Sequence, residues 1–435
     1  MKDITILGAG IAGMGAAFHL KKEGSQPEIY EKRSRPGGHT SSHAVEGGFI
    51  YDEGPHVSFT KTERIQELFA ESVEDQYEVI QVYANNYWKG HWIKHPAICN
   101  LHGLPDDLVV DIIKDVAELQ HKETKDEYDN FADWLIASYG KTFSETFPFE
   151  YNQKYHTTHP KNLSTDWLGP RLYKASFEEV VRGALSPVTK DVHYVDHFRY
   201  PTHGGFESYL AMFKKDVAFH LEHEMVRLEP KDKKLHFSNG TSLDYKQLVS
   251  SLPLPEIIKR IDGVPEEVRE AASKLACSIC VCVSVGIDRS DISQAQWSYF
   301  YDEEISFART SMPHLLSPKT GPEGTGSIQC EVYFSEKYKP LNKSLEEIEK
   351  DVLRDLRKCN LVREDDTILC VDTRLLPYAN VIFDLDRVKS LETVHAYLDE
   401  LDIHCCGRFG EWGYHWTDES FISGENAAEK ALSRL

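Results

Sequence analysis

The chain has 435 residues, 41% hydrophobic and 27% charged, with a formal net charge of −21. A single core stops growing at roughly 250–300 residues, so more than one domain is expected, and no window approaches the roughly 18 consecutive apolar residues of a membrane span. So acidic a balance argues against nucleic acid as a partner, because phosphate binding needs a basic surface, and an anionic substrate would have to be held by a few placed arginines.

The N-terminal segment reads as strand at 4–7, a Gly-rich turn at 8–13, a helix at 14–22 and a second strand at 28–30, one βαβ unit. The start enters that turn at once, leaving no room for a charged, apolar and cleavage-site leader, so a cytoplasmic location is expected. From about 105 to 185 the pattern takes a helical period, as in 108–119 and 131–136, and predicts a helical insertion. Alternation returns over 222–253, with an Asn239-Gly240 hairpin signal, and predicts a return to the first domain.

Strand-like runs at 277–287, 296–301, 327–334 and 368–374, with one helix near 345–357, predict a second sheet domain. A turn at 407–412 then leads into a helix over 424–435. The expected organisation is a first α/β domain from 1–104, 191–262 and 396–435, a helical domain at 105–190, and a β-sheet domain at 263–395. Nine cysteines, an odd number, lie mostly in apolar runs and predict reduced thiols. Cys277 and Cys280 have the spacing of a redox or zinc pair, but no second pair accompanies them, so buried strand residues and no metal are expected.

Gly8-x-Gly10-x-x-Gly13 follows a predicted strand and opens a predicted helix, and Glu31 stands 23 positions after Gly8 at the end of the next strand. In that context Gly8 permits the tight turn, Gly10 lets backbone N–H groups approach a pyrophosphate, and Gly13 lets helix and strand pack closely. Glu31 would take ribose hydroxyls.

The continuation Glu31-Lys32-Arg-Ser-Arg35-Pro-Gly37-Gly38-His39 resembles the extended FAD fingerprint of the flavoprotein group that contains amine oxidases, protoporphyrinogen oxidases and UDP-galactopyranose mutases. The resemblance implies an α/β fold: a Rossmann-type FAD-binding domain with a helical insertion and a second, mixed or antiparallel β-sheet domain. It extends the cofactor site to Ala12, Lys32, Arg35, Gly37, Gly38 and His39, and adds a backbone contact from Val226 to the adenine. Within the group, Gly54-Pro55-His56 is similar to the histidine loop under the flavin of the mutases.

Further segments follow in the mutases' order. Trp167-Leu-Gly-Pro-Arg171 is similar to the stretch with the first diphosphate-clamping arginine. Trp297-Ser-Tyr299-Phe300, with Arg309 twelve residues after the tryptophan, is similar to the eukaryotic-type segment whose tyrosine contacts the nucleotide and whose arginine is the second clamp. Gly407-Arg408-Phe-Gly410-Glu-Trp412-Gly-Tyr414 is similar to the closing flavin turn, whose tyrosine faces the diphosphate, and Tyr378 falls at another substrate-tyrosine position.

The resemblance implies a nucleotide-sugar substrate, interconversion of pyranose and furanose forms of UDP-galactose or a related sugar, and a place in cell-surface polysaccharide biosynthesis. Reduced flavin N5 is the nucleophile in that family, so NADPH or NADH is implied as reductant. Arg171 and Arg309 would hold the diphosphate and His56 would orient the flavin. The family includes dimers and tetramers, which leaves a homo-oligomer open. Leu316 departs from the family's tyrosine, removing one diphosphate hydrogen bond, and His95 replaces an aromatic residue. An FAD-dependent oxidase or dehydrogenase of the amine oxidase or protoporphyrinogen oxidase type is the alternative.

Overall fold

The computed structural model describes residues 2–122, 125, 127–169, 172–190, 192 and 196–435. Its first sheet has a parallel centre in the order Ala218–His220, Glu28–Tyr30, Lys2–Leu7, Ser242–Ser250 and Ile403–Cys405, extended by the antiparallel strands Lys234–Phe237 and Met225–Glu229. Register aligns the strand ends, with Leu7 opposite both Tyr30 and Ser250, and Ser250 opposite Cys405. The chain therefore leaves four neighbouring strands at one edge. Gly8, Glu31, Ser251 and Gly407 emerge there onto the wall of one cavity of about 1540 Å³, the crevice expected beyond the carboxyl ends of a parallel sheet. The Asn239-Gly240 hairpin joins the strands that the sequence predicts.

The helices Ile11–Lys22 and Thr417–Leu432 pack on this sheet through small residues. A Cβ on Gly15 would lie 2.1 Å from the Phe421 carbonyl oxygen, and one on Gly424 would lie 1.9 Å from that of Ala12. The last helix begins seven residues before the predicted 424, because the Glu419 carboxylate accepts the Trp416 backbone N–H at 2.8 Å and closes its first turn.

A second, seven-stranded sheet runs in the order Ile368–Leu376, Ser278–Ile287, Gly326–Ser335, Arg309–Ser311, Trp297–Phe300, Ala84–Trp88 and His91–Lys94. The last two strands come from the span 1–104, which the sequence places wholly with the dinucleotide domain. They are short and rich in polar residues, and their parallel pairing with Trp297–Phe300 is not a local property of the sequence. One face of this sheet packs Val281, Val283, Ile328 and Val332 against Ile348, Val352 and Leu356 of the helix Leu345–Lys358. Period-two alternation therefore turns the intervening residues toward the cavity.

The predicted helical insertion contains Asp106–Leu119, Phe131–Tyr139, Lys141–Thr146, Pro148–Tyr155 and Phe177–Leu185, which share a core of Ile112, Phe131, Leu135, Phe143 and Phe147. It adds Phe131, Leu135, Tyr139 and Tyr155 to the cavity wall.

Gly424→Ala should lower stability by about 1–3 kcal/mol, the usual cost of overpacking a tight contact. Thermal unfolding of the flavin-loaded protein measures this, and a wild-type melting temperature would contradict the backbone contact.

Candidate functional site

At the first sheet's edge the helix Ile11–Lys22 starts without a side-chain cap, and Gly10, Ile11 and Ala12 line the cavity. Its first-turn N–H groups and dipole thus form an anion cradle. Gly13 lies beneath, where a Cβ would meet the Gly8 carbonyl oxygen at 1.9 Å. The buried Glu31 carboxylate accepts the backbone N–H groups of Ala9 at 2.8 Å and Arg33 at 2.9 Å, which fixes it on the cavity wall. Lys32, Gly38, His39, His56, Gly407 and Arg408 share that wall. These residues fit the dinucleotide half of FAD.

Besides Gly13, three predicted cofactor residues stand off the wall. Gly37 donates its backbone N–H to the Ala9 carbonyl at 2.8 Å. Arg35 donates to the Ser42 carbonyl at 2.9 Å and pairs with Glu207 at 3.6 Å. Arg33 lines the cavity instead, bound to both oxygens of Glu53 at 3.0 and 2.8 Å. Val226 is 45% exposed at a register shift in its strand, while Glu224 and Met225 reach the cavity.

Arg408 supplies charge of a different kind. It donates to the carbonyls of His415 (2.8 and 2.6 Å) and Ala379 (3.4 Å) and to Asn380 Oδ1 (3.2 Å). Among the described residues it has no carboxylate partner, so its charge faces the cavity uncancelled. Tyr414 lies under its guanidinium, 5.5 Å to the ring centroid, and stacks near Trp167 at 5.9 Å.

The second sheet supplies the opposite wall. Its register sets Arg374, Cys282, Glu331, Arg309, Tyr299 and Asn86 in one row across six strands. Arg309 Nε donates to Glu331 Oε2, and its Nη2 to Oε1 at 2.9 Å. Tyr333 donates its hydroxyl to the same Oε1 at 2.7 Å. Burial opposes the charge, but Glu331 holds the guanidinium ionised, well above its ordinary pKa, and Nη1 makes no hydrogen bond among the described residues. Tyr299, Tyr151 and Tyr155 surround the pair on the cavity wall.

Of the other predicted substrate residues, Tyr378 lines the cavity with its hydroxyl donated to Glu256 at 2.8 Å, and Arg171 lies outside the described residues. Leu316 is buried on the wall, and His95 lies 5.0 Å from the Tyr299 ring with Nδ1 3.2 Å from Asn86 Oδ1. Glu331 is absent from the predicted set; its signal is a single carboxylate inside the apolar run 327–334, where a buried charge needs a partner. Cys280 is a buried strand residue as expected, whereas Cys277 is half-buried in an isolated bridge just before that strand, and both are free; no cluster of metal ligands occurs among the described residues.

Arg309→Ala would strand a buried carboxylate and should destabilise the fold by about 3–5 kcal/mol. The double variant Arg309→Ala/Glu331→Gln should recover most of that loss. Denaturant unfolding compares them, and equal losses would contradict a paired buried charge.

Burial, with Arg33 or Arg408 adding to it, lowers His39 to about 3 and His56 to about 4; burial alone lowers His156 to about 4. Their folded values lie below the unfolded one, so the stability they contribute at neutral pH is lost as pH falls from about 6.5 through 4. Asp52 has the opposite sign: burial raises it to about 6, and its contribution is lost as pH rises through that value. At about 1.4 kcal/mol per pH unit between folded and unfolded values, three histidines outweigh one carboxylate. The melting temperature should fall between pH 6.5 and 4.5, and a rise across that range would contradict neutral cavity histidines.

The sequence pattern of the family described as flavin containing amine oxidoreductase matches residues 11–432. The crystal structure of reduced UDP-galactopyranose mutase superposes with a TM-score of 0.92 at 25% identity, covering 100% of this chain and 96% of that one. Among curated proteins, the 1-hydroxycarotenoid 3,4-desaturase of Flavobacterium sp. (strain P99-3) is 46% identical over 69 residues, 16% of this chain and 14% of that protein. The 15-cis-phytoene desaturase of Synechococcus elongatus is 33% identical over 89 residues, 20% and 17% of the two chains. The match thus spans less than a fifth of either desaturase.

Proposed function

The chain belongs to the flavin-containing amine oxidoreductase family, and from that premise we propose that it is an FAD-dependent nucleotide-sugar mutase, interconverting pyranose and furanose forms of UDP-galactose or a related sugar. The observation that supports this is the closeness of the whole-chain likeness to a mutase, TM-score 0.92 at 25% identity, where oxidases of the same group superpose over the same length at 0.76 or less and 15% identity or less. Bound FAD, reduced by NADPH or NADH, would supply the nucleophile. The chain's own residues position and neutralise. Arg309 Nη1, held in place by Glu331, would meet the diphosphate together with Arg171. Tyr299 and Tyr414 would add hydroxyl donors, and Trp167 would flank the sugar. Such charge-assisted contacts stabilise a diphosphate most as it leaves and gains charge. His56, its Nδ1 2.8 Å from the Gly54 carbonyl, would orient the flavin.

The oxidase or desaturase reading draws on the apolar wall of Phe131, Leu135 and Phe143 and on the desaturase relatives. It leaves Arg309 and the ring of tyrosine hydroxyls about it without an anionic ligand beyond the cofactor.

Anaerobic protein reduced with dithionite should interconvert UDP-galactopyranose and UDP-galactofuranose, and the air-oxidised protein should not. Chromatography of both ring forms measures this. No interconversion, with flavin reduction by an oxidisable donor, would move the protein to the oxidase reading.

A further inference from the structure

His156 ends the helix Pro148–Tyr155 and is 3% exposed on the cavity wall. Its Nδ1 is enclosed without a hydrogen-bond partner, and Nε2 has none among the described residues. A polar atom left unpaired in a buried wall is unfavourable unless a ligand satisfies it. The backbone holds the ring at this place: Thr157 adopts φ +62°, rare for a β-branched residue, with its hydroxyl 2.7 Å from Ser335 Oγ and donating to the His156 carbonyl at 2.6 Å.

The ring meets Trp167 at 5.4 Å and Tyr155 at 4.8 Å, and Tyr155 lies beneath Arg309. His156 is thus one ring removed from the Arg309 and Glu331 pair. Burial alone depresses its basicity and no charged group adds to that, so the imidazole is neutral, with one donor and one acceptor. Nε2, the nitrogen that is not enclosed, donates or accepts according to the tautomer, and a hydroxyl complements either. A phosphate oxygen only accepts, and a neutral imidazole brings it no charge.

We propose that His156 is a specificity-determining residue that hydrogen-bonds a hydroxyl of the substrate's sugar ring. This rests on the nucleotide-sugar reading. Calorimetry on the FAD-loaded protein separates the two, using UDP-galactopyranose and UDP as ligands. Wild-type protein should bind both, and binding of neither overturns the nucleotide-sugar reading itself. His156→Phe keeps a ring but removes both nitrogens, and should weaken UDP-galactopyranose about tenfold while leaving UDP unchanged. His156→Gln restores a donor and an acceptor, and should come within about threefold of wild type.

Equal loss for both ligands, or loss for neither, overturns the assignment to the sugar. Should the phenylalanine variant shed its flavin, the ring 15N signals of His156 in the wild-type holoenzyme decide. They should shift with UDP-galactopyranose and not with UDP; no shift, or the same shift with both, overturns the proposal.

Discussion

Gly15 and Gly424 press the helices Ile11–Lys22 and Thr417–Leu432 together so closely that each glycine faces a carbonyl oxygen of the other helix. One helix follows the first strand and the other ends near the C-terminus, so the contact joins segments more than 400 residues apart. It sets the height of the uncapped helix start above the sheet edge. Gly8, Glu31, Ser251 and Gly407 arrive at the same edge because parallel register aligns the strands that precede them. A bulkier side chain at the contact would lift the anion cradle away from Glu31 and Arg408, which act on the same cavity.

Electrostatics divide that cavity in two. Near the first sheet Arg408 is held by carbonyl oxygens and Asn380 and keeps its full charge, while Arg33 is matched by Glu53. Across the cavity Arg309 is matched by Glu331, so it offers a charged N–H donor fixed in direction, its charge largely balanced within the pair. A ligand with a diphosphate between two less polar ends suits such a wall. Charge set between protein walls is screened less than in bulk solvent and needs fewer groups to hold it. The lowered histidine pKa values follow from burial in the same walls.

The parts legible in the sequence are those that local chemistry decides. The glycine turn, its helix and Glu31 lie within one βαβ unit, and the Asn239-Gly240 hairpin is fixed by its turn. Arg309 was legible, but its partner was not, since Glu331 lies 22 residues away and meets it only through sheet register. Arg33 and Arg35 differ by two positions, and which one reaches the cavity depends on Glu53. The strands Ala84–Trp88 and His91–Lys94 carry no strong pattern of their own and owe their place to the edge strand they extend. Nothing local signals that Thr157 turns left-handed and leaves His156 at the cavity wall.

A mutase built on this cavity would rearrange its substrate without net consumption of electrons. One electron pair per flavin, supplied under strict anaerobiosis, puts this to the test when ring-isomerised nucleotide sugar is counted while the flavin spectrum is followed. Many product molecules per electron pair are expected, with the flavin still reduced at the end. Flavin reoxidised in step with substrate, at one product per electron pair, would contradict it.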